Sequence, residues 1–130
     1  MATEEKRSLK FLIVDDDVPL SLSLKKTLME DGHTAFTETT VRQSLKFITE
    51  QEVDILLVDL VLPDGDGSEI IKVVKEHHKS SYCVLISGYY DKSFDNYTIL
   101  VGANQVIGKP ITKEVLDDVI HQYRLIHTDH

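Results

Sequence analysis

The sequence predicts a doubly wound α/β domain in which five parallel strands lie between two layers of helices. Strand and helix patterns alternate five times along the 130 residues, and right-handed crossovers between such units build a three-layer domain. Four short apolar runs each end at a polar residue, as is typical of strands buried on both faces. The runs cover 11–14, 55–58, 83–86 and 106–108, and the residues that follow them are Asp15, Asp59, Ser87 and Lys109.

The first half of the chain predicts two strand–helix units. The first strand covers about 10–14 and the first helix about 18–30, with Asp17 as the helix cap and Gly32 as its stop. A polar-alternating edge strand is predicted over 34–39. The second helix is marked by apolar residues at helical spacing, namely Val41, Leu45 and Ile48.

The second half continues the alternation. A turn-rich loop over 60–67 follows the third strand, and we expect it to be a flexible connection into the third helix. It does not fit an EF-hand calcium loop, because aligning Gly67 with the loop glycine puts Leu62 and Val73 at ligand positions. The remaining elements are a strand ending at Ser87, a weak helix over about 92–100, a short strand ending at Lys109 and a last helix over about 112–125.

Composition limits the classes of function. The net charge of −8 argues against binding a nucleic-acid backbone and is compatible with binding a cation. Cys83 is the single cysteine, so no intrachain disulfide can form, and we expect a buried thiol in a reducing cytoplasm. The N-terminal residues lack a signal peptide, and no run approaches the roughly 18 apolar residues of a membrane span. We expect one domain over 1–130, with its core at about 9–125.

The polar residues after the strands predict a site for a divalent cation and a phosphoryl group, because ligands bind beyond the carboxyl ends of parallel strands. The carboxylates of Asp15, Asp16 and Asp59 would repel one another unless a proton or a metal neutralised them, and Mg²⁺ prefers such oxygens. Asp59 is the candidate nucleophile, since a carboxylate can accept a phosphoryl group. Ser87 and Lys109 would contact phosphoryl oxygens.

These residues give the chain a close resemblance to the receiver domain of two-component response regulators over about 9–125. The resemblance implies a flavodoxin-like fold with strand order 2-1-3-4-5. It rests on Asp15-Asp16, on Asp59 within the sequence DLVLP, on Gly67, on Ser87-Gly88, on Gly102-Ala103 and on Lys109-Pro110, whose peptide bond we expect to be cis.

The resemblance also implies the chemistry of the site. A histidine kinase or a histidine phosphotransfer protein would phosphorylate Asp59 in a Mg²⁺-dependent reaction. The metal would be bound by Asp16, Asp59 and the backbone carbonyl of Val61, with Asp15 acting mainly through water. The domain would be a phosphoacceptor and not an enzyme, apart from its own phosphotransfer and slow self-dephosphorylation.

The implied output is binding. Phosphorylation would draw Ser87 towards the phosphate and shift a two-state equilibrium across the surface of the fourth helix, fifth strand and fifth helix. That surface would bind a partner protein, an output domain or a second copy in a homodimer. Two other functions stay open: an interaction domain that does not use phosphorylation, and a phosphatase with multiple turnover. The three mutually repelling carboxylates argue against the interaction domain.

Departures from the family pattern concern three positions. Val106 stands where the family often has a Phe or Tyr that moves with the hydroxyl residue, so either the domain does not signal through an aromatic switch or another ring (Tyr89, Tyr90 or Phe94) substitutes. Val61 and Tyr89 flank the phosphate position, and both are bulky and unsuited to orient water. We therefore predict slow self-dephosphorylation.

Overall fold

The chain folds as the predicted parallel sheet between helices. The computed structural model describes residues 7–88 and 101–127. The strands there are β1 (Lys10–Val14), β2 (Thr34–Glu38), β3 (Ile55–Asp59), β4 (Val61–Leu62), β5 (Gly65–Asp66), β6 (Tyr82–Ser87) and β7 (Gln105–Gly108). The helices are α1 (Val18–Glu30), α2 (Val41–Glu50), α3 (Ser68–His77) and α4 (Lys113–His127), of which α4 is the last helix of the sequence prediction.

The main sheet has five strands in the order β2-β1-β3-β6-β7, and all neighbouring strands are parallel. With the short β4–β5 pair left out, this is the order 2-1-3-4-5 of the flavodoxin-like fold, so that expectation is confirmed. The register places Val14 beside Val58 and Asp59 beside Ile86. The residues at the carboxyl ends of β1, β3 and β6 therefore meet at one edge of the sheet.

Both faces of the sheet are covered by helices, which explains why the strands are apolar throughout instead of alternating. Phe11 and Ile13 belong to a core cluster shared with α1 and α4. Leu12 and Val14 point to the other face and belong to a cluster shared with α2 and α3. Burial of each large apolar side chain stabilises the fold by about 1.5–3 kcal/mol. This core fixes where the strand ends lie.

Cys83 is part of this core, as predicted. Its side chain is fully buried in β6. Burial raises the pKa of the thiol to about 11, so the reactive thiolate is scarce at neutral pH.

The ends of α1 are the predicted ones. The helix begins after Asp17, whose carboxylate accepts a hydrogen bond from the N–H of Leu20 at 3.1 Å. It ends before Gly32, which has a φ of 91°, a conformation that glycine adopts without strain. Local sequence is therefore sufficient to delimit this helix.

The loop over 60–67 is where the prediction was wrong. Instead of a flexible connection, the structure forms an antiparallel hairpin from β4 and β5. The helix predicted over 92–100 and the three rings at Tyr89, Tyr90 and Phe94 lie outside the described residues. In the two ranges that are described, no helix is both long enough and apolar enough to cross a bilayer.

His33 is held as a neutral imidazole at the start of β2. Its Nδ1 accepts a hydrogen bond from the N–H of Leu9 at 3.0 Å, so this nitrogen cannot carry a proton. The ring meets Phe11 edge to face, with centroids 5.6 Å apart. Burial and the charge of Arg124 lower the pKa of His33, outweighing the opposing charge of Asp31.

Acid should destabilise the fold through His33. Because its pKa is lower in the folded than in the unfolded chain, its contribution is complete above the unfolded value of about 6.5 and is lost as the pH falls towards the folded value. His33→Phe should lower the free energy of unfolding at mildly alkaline pH by about 1 kcal/mol, because the Leu9 hydrogen bond is lost. Urea denaturation at several pH values should also show a weaker pH dependence than in the unsubstituted chain, and an equal dependence would contradict this assignment.

Candidate functional site

Three carboxylates meet at the carboxyl edge of the sheet. Asp15 and Asp16 follow β1 and Asp59 ends β3, and one oxygen from each lies within 4.8 Å of the other two. Asp15 and Asp59 are buried, whereas Asp16 is exposed. Charges this close repel one another by several kcal/mol at an effective dielectric constant of about 20. The arrangement is therefore unfavourable unless a cation or a proton compensates this charge.

Lys109, just after β7, supplies one positive charge. Its Nζ lies 3.1 Å from Oδ2 of Asp15 and donates a hydrogen bond to Oδ2 of Asp59 at 3.2 Å. Burial alone would lower the pKa of Lys109, but its close contacts with the two carboxylates outweigh this effect and raise that pKa. The ammonium is therefore charged at neutral pH. The Lys109–Pro110 peptide bond is cis, as expected.

One ammonium does not fully compensate the buried carboxylates. Burial, and to a lesser extent the charge of Asp59, raise the pKa of Asp15. The N–H of Asp17, 2.9 Å from Oδ1 of Asp15, and the ammonium of Lys109 oppose this rise without cancelling it. Even with Lys109 beside it, ionisation of the buried Asp15 carboxylate is thus less favourable than ionisation of an aspartate in water.

The donor set fits a hard divalent cation. Mg²⁺ binds through one or a few carboxylates and keeps several waters. Oδ2 of Asp15 is buried and accepts no hydrogen bond within the described ranges, its contact with Lys109 being an ion pair only. The exposed Asp16 leaves the site open to solvent, where water and phosphoryl oxygens can enter. Asp15, Asp16 and Asp59 could therefore hold a metal ion.

Two other predicted residues lie at the same edge. Ser87 is buried at the end of β6, one position beyond Ile86, which is the register partner of Asp59. The N–H of Val61 donates a hydrogen bond to Oδ1 of Asp59 at 3.1 Å, whereas the Val61 side chain is 72% exposed. Both oxygens of the Asp59 carboxylate thus have a partner, the hairpin on one side and Lys109 on the other.

Val106 lies in β7 beside Leu85 and packs, partly buried, against the cluster shared with α2 and α3. No aromatic ring comes from this position of the sheet. The three rings suggested as substitutes lie outside the described residues, so their role stays a prediction.

Sequence reasoning missed the hairpin that closes on the end of β3. The N–H of Gly67 donates to the carbonyl of Leu60 at 2.8 Å. A Cβ at Gly67 would lie 2.1 Å from the carbonyl oxygen of Asp59, a distance that no side chain tolerates. The signal was the turn sequence over 63–65, which favours a tight reversal, but the contact with Asp59 is not visible in the sequence.

Gly67→Ala should therefore displace the hairpin. We expect the free energy of unfolding to fall by about 1–3 kcal/mol, the usual effect of an added methyl group in a filled space, as measured by urea denaturation. Gly88→Ala is the matched control, since a Cβ there has no described neighbour within 4 Å. Equal stability of the two variants would show that the hairpin moves freely.

Comparisons with known proteins show the family of this chain. The family model of the response regulator receiver domain matches residues 11–121. The chain therefore belongs to the receiver domains of two-component response regulators, phosphoacceptors whose general function is to be phosphorylated by a histidine kinase. Receiver domains bind Mg²⁺ at an acidic site, and the three aspartates here form such a cluster.

Two curated relatives cover most of the chain. Sporulation initiation phosphotransferase F of Bacillus subtilis (strain 168) is 25% identical over 114 residues, which are 88% of this chain and 92% of that protein. Regulatory protein VanR of Enterococcus faecium is 28% identical over 102 residues, 78% of this chain but only 43% of VanR.

Solved structures show the same fold. A CheY-like receiver domain protein from Methanospirillum hungatei JF-1 has a TM-score of 0.86 and 22% identity over 95% of this chain and 100% of that one. The beryllofluoride-activated NtrC4 receiver domain dimer has a TM-score of 0.77 and 29% identity over 88% of this chain and 98% of that one.

Proposed function

We propose that this receiver domain accepts a phosphoryl group on Asp59 from a histidine kinase or a histidine phosphotransfer protein, in a Mg²⁺-dependent reaction. The observation that carries the proposal is the position of Lys109, whose Nζ is 3.1 Å from Asp15 Oδ2 and 3.2 Å from Asp59 Oδ2. A cation able to pair with a phosphoryl oxygen thus lies beside the carboxylate to be modified. Membership of the family supports the same reaction.

The residues of this chain have distinct tasks in the transfer. A carboxylate oxygen of Asp59 attacks the phosphorus of phosphohistidine, and the P–N bond breaks with its electron pair left on the imidazole nitrogen. The product is an acyl phosphate. The ammonium of Lys109 and the hydroxyl of Ser87 bind phosphoryl oxygens and offset the added charge.

The metal ligands in this proposal are Asp16, Asp59 and the backbone carbonyl of Val61, with Asp15 acting mainly through water. When bound, Mg²⁺ neutralises carboxylate charge and stabilises the charge on the phosphoryl oxygens. The chain itself positions the nucleophile, because Val61 N–H and Lys109 fix the Asp59 carboxylate from two sides.

The output is a change in binding. Movement of Ser87 towards the phosphate shifts a two-state equilibrium across β7, α4 and the helix predicted over 92–100. A partner protein, an output domain or a second copy would bind there, and the related NtrC4 receiver domain has been solved as a beryllofluoride-activated dimer. We further propose that the protein acts in the cytoplasm and that residues 1–130 form a single domain.

Phosphorylation should require Asp59 and Mg²⁺. With phosphoramidate, a donor with a P–N bond, we expect about one phosphoryl group per chain by mass spectrometry, and none with a chelator or in Asp59→Asn. Asp117→Asn is the matched control, because that carboxylate lies on the exposed face of α4 and pairs with Lys113.

Three outcomes would contradict this function. Labelling of Asp59→Asn would show that another residue is the phosphoacceptor. Repeated turnover of a generic phosphoester would favour the phosphatase. No change in NMR spectra with beryllofluoride and Mg²⁺ would favour the interaction domain that does not use phosphorylation.

The phosphoryl group should be long-lived, because bulky side chains at Val61 and Tyr89 would crowd the path of the attacking water. Val61→Ala should shorten the lifetime several-fold by removing bulk, and Val61→Asn should shorten it further by adding a group that orients water. Loss of label after removal of the donor measures both. A lifetime of only seconds at neutral pH in the unsubstituted chain would contradict this prediction.

A further inference from the structure

The carboxylate of Asp64, at the turn of the β4–β5 hairpin, is bound to the first turn of α2. Its Oδ1 accepts the N–H of Val41 at 2.7 Å and its Oδ2 accepts the N–H of Arg42 at 3.0 Å. These N–H groups have no partners within the helix, because they belong to its first turn. The two bonds lower the pKa of Asp64, so the carboxylate is ionised at neutral pH.

The other end of the hairpin is bound to α3. Oε2 of Glu69 accepts the N–H of Asp66 at 2.8 Å, and Oδ1 of Asp66 accepts the N–H of Ser68 at 2.8 Å. A Cβ at Gly65 would lie 2.6 Å from Glu69 Oε2, so the hairpin also packs closely there. Together with the Asp64 bonds, these contacts hold the hairpin between two helices.

The start of α2 does not depend on Asp64 alone. Thr40 caps the same helix, and its hydroxyl accepts the N–H of Gln43 at 3.1 Å. The distinctive effect of the Asp64 bonds is therefore on the hairpin, whose residue Val61 lies three positions away. The N–H of Val61 lies 3.1 Å from Oδ1 of Asp59, so this hydrogen bond connects the hairpin to the phosphoacceptor carboxylate.

We propose that Asp64 is a positioning residue for the phosphoacceptor site, holding the hairpin so that the main chain of Val61 faces Asp59. The inference rests on the proposed function, in which the carbonyl of Val61 is a metal ligand. Asp64 contacts neither the metal nor the phosphoryl group. Its loss frees the hairpin, weakens the Val61–Asp59 hydrogen bond and lowers the affinity for Mg²⁺.

The test compares Asp64→Ala and Asp64→Asn, which have the same charge. Asn keeps one carbonyl acceptor for α2, and Ala keeps none. Mg²⁺ is titrated into each chain at high ionic strength and followed by amide NMR shifts. Asp64→Ala should bind about tenfold more weakly than the unsubstituted chain, the lower end of the effect of residues that orient metal ligands, with Asp64→Asn between them.

Thr40→Ala is the matched control, since it weakens the same helix end and leaves the hairpin bound. The free energy of unfolding of Thr40→Ala should fall about as much as that of Asp64→Ala, while its Mg²⁺ affinity should stay that of the unsubstituted chain. Hydrogen exchange without metal gives a second readout. The amides of Val61 and Gly67 should exchange faster in Asp64→Ala than in the unsubstituted chain, and at an unchanged rate in Thr40→Ala.

The outcomes separate the two proposals. An equal loss of affinity in Asp64→Ala and Asp64→Asn would assign the effect to charge and overturn the positioning role, as would unchanged affinity and exchange in Asp64→Ala. If Asp64→Ala does not fold, faster exchange at Val61 in Asp64→Asn supports the role and unchanged exchange overturns it. An unsubstituted chain that binds no Mg²⁺ would contradict the proposed function, while the metal-free exchange would still decide whether Asp64 holds the hairpin.

Discussion

The carboxyl edge of the sheet forces like charges together, and the organisation of this protein follows from that constraint. Three carboxylates share a small volume with the ammonium of Lys109. Their repulsion is tolerated because the apolar strands that end there are buried on both faces and cannot separate without exposing the core. The free energy gained by burying the centre of the sheet thus offsets the repulsion between the carboxylates at its edge, where these groups are needed for chemistry.

The Asp59 carboxylate connects two parts of the chain that are far apart in sequence. One oxygen accepts from the hairpin next to it, and the other accepts from Lys109, fifty residues later. The hairpin is in turn confined by α2, by α3 and by the close approach of Gly67 to the end of β3. A change at this carboxylate therefore acts on both the hairpin and Lys109.

Much of the fold could be predicted because its signals are local. The buried strands appear as continuous apolar runs, and the cap at Asp17 lies next to the helix that it begins. Strand order came from the family resemblance, since periodicity does not encode it. The hairpin was missed because its stability comes from distant contacts: Asp64 binds α2 across 22 and 23 residues of sequence. Turn residues show that the chain reverses direction, but they do not show which other element the turn contacts.

The buried thiol in β6 makes this protein suitable for site-selective labelling. Cys83 has no solvent exposure and burial raises its pKa to about 11, so little accessible thiolate is available to attack a maleimide reagent. A cysteine introduced at an exposed position such as Val61 would react with the maleimide before Cys83 does, so the native cysteine need not be removed. A fluorophore placed there would report, in real time, on the environment beside the phosphoacceptor carboxylate.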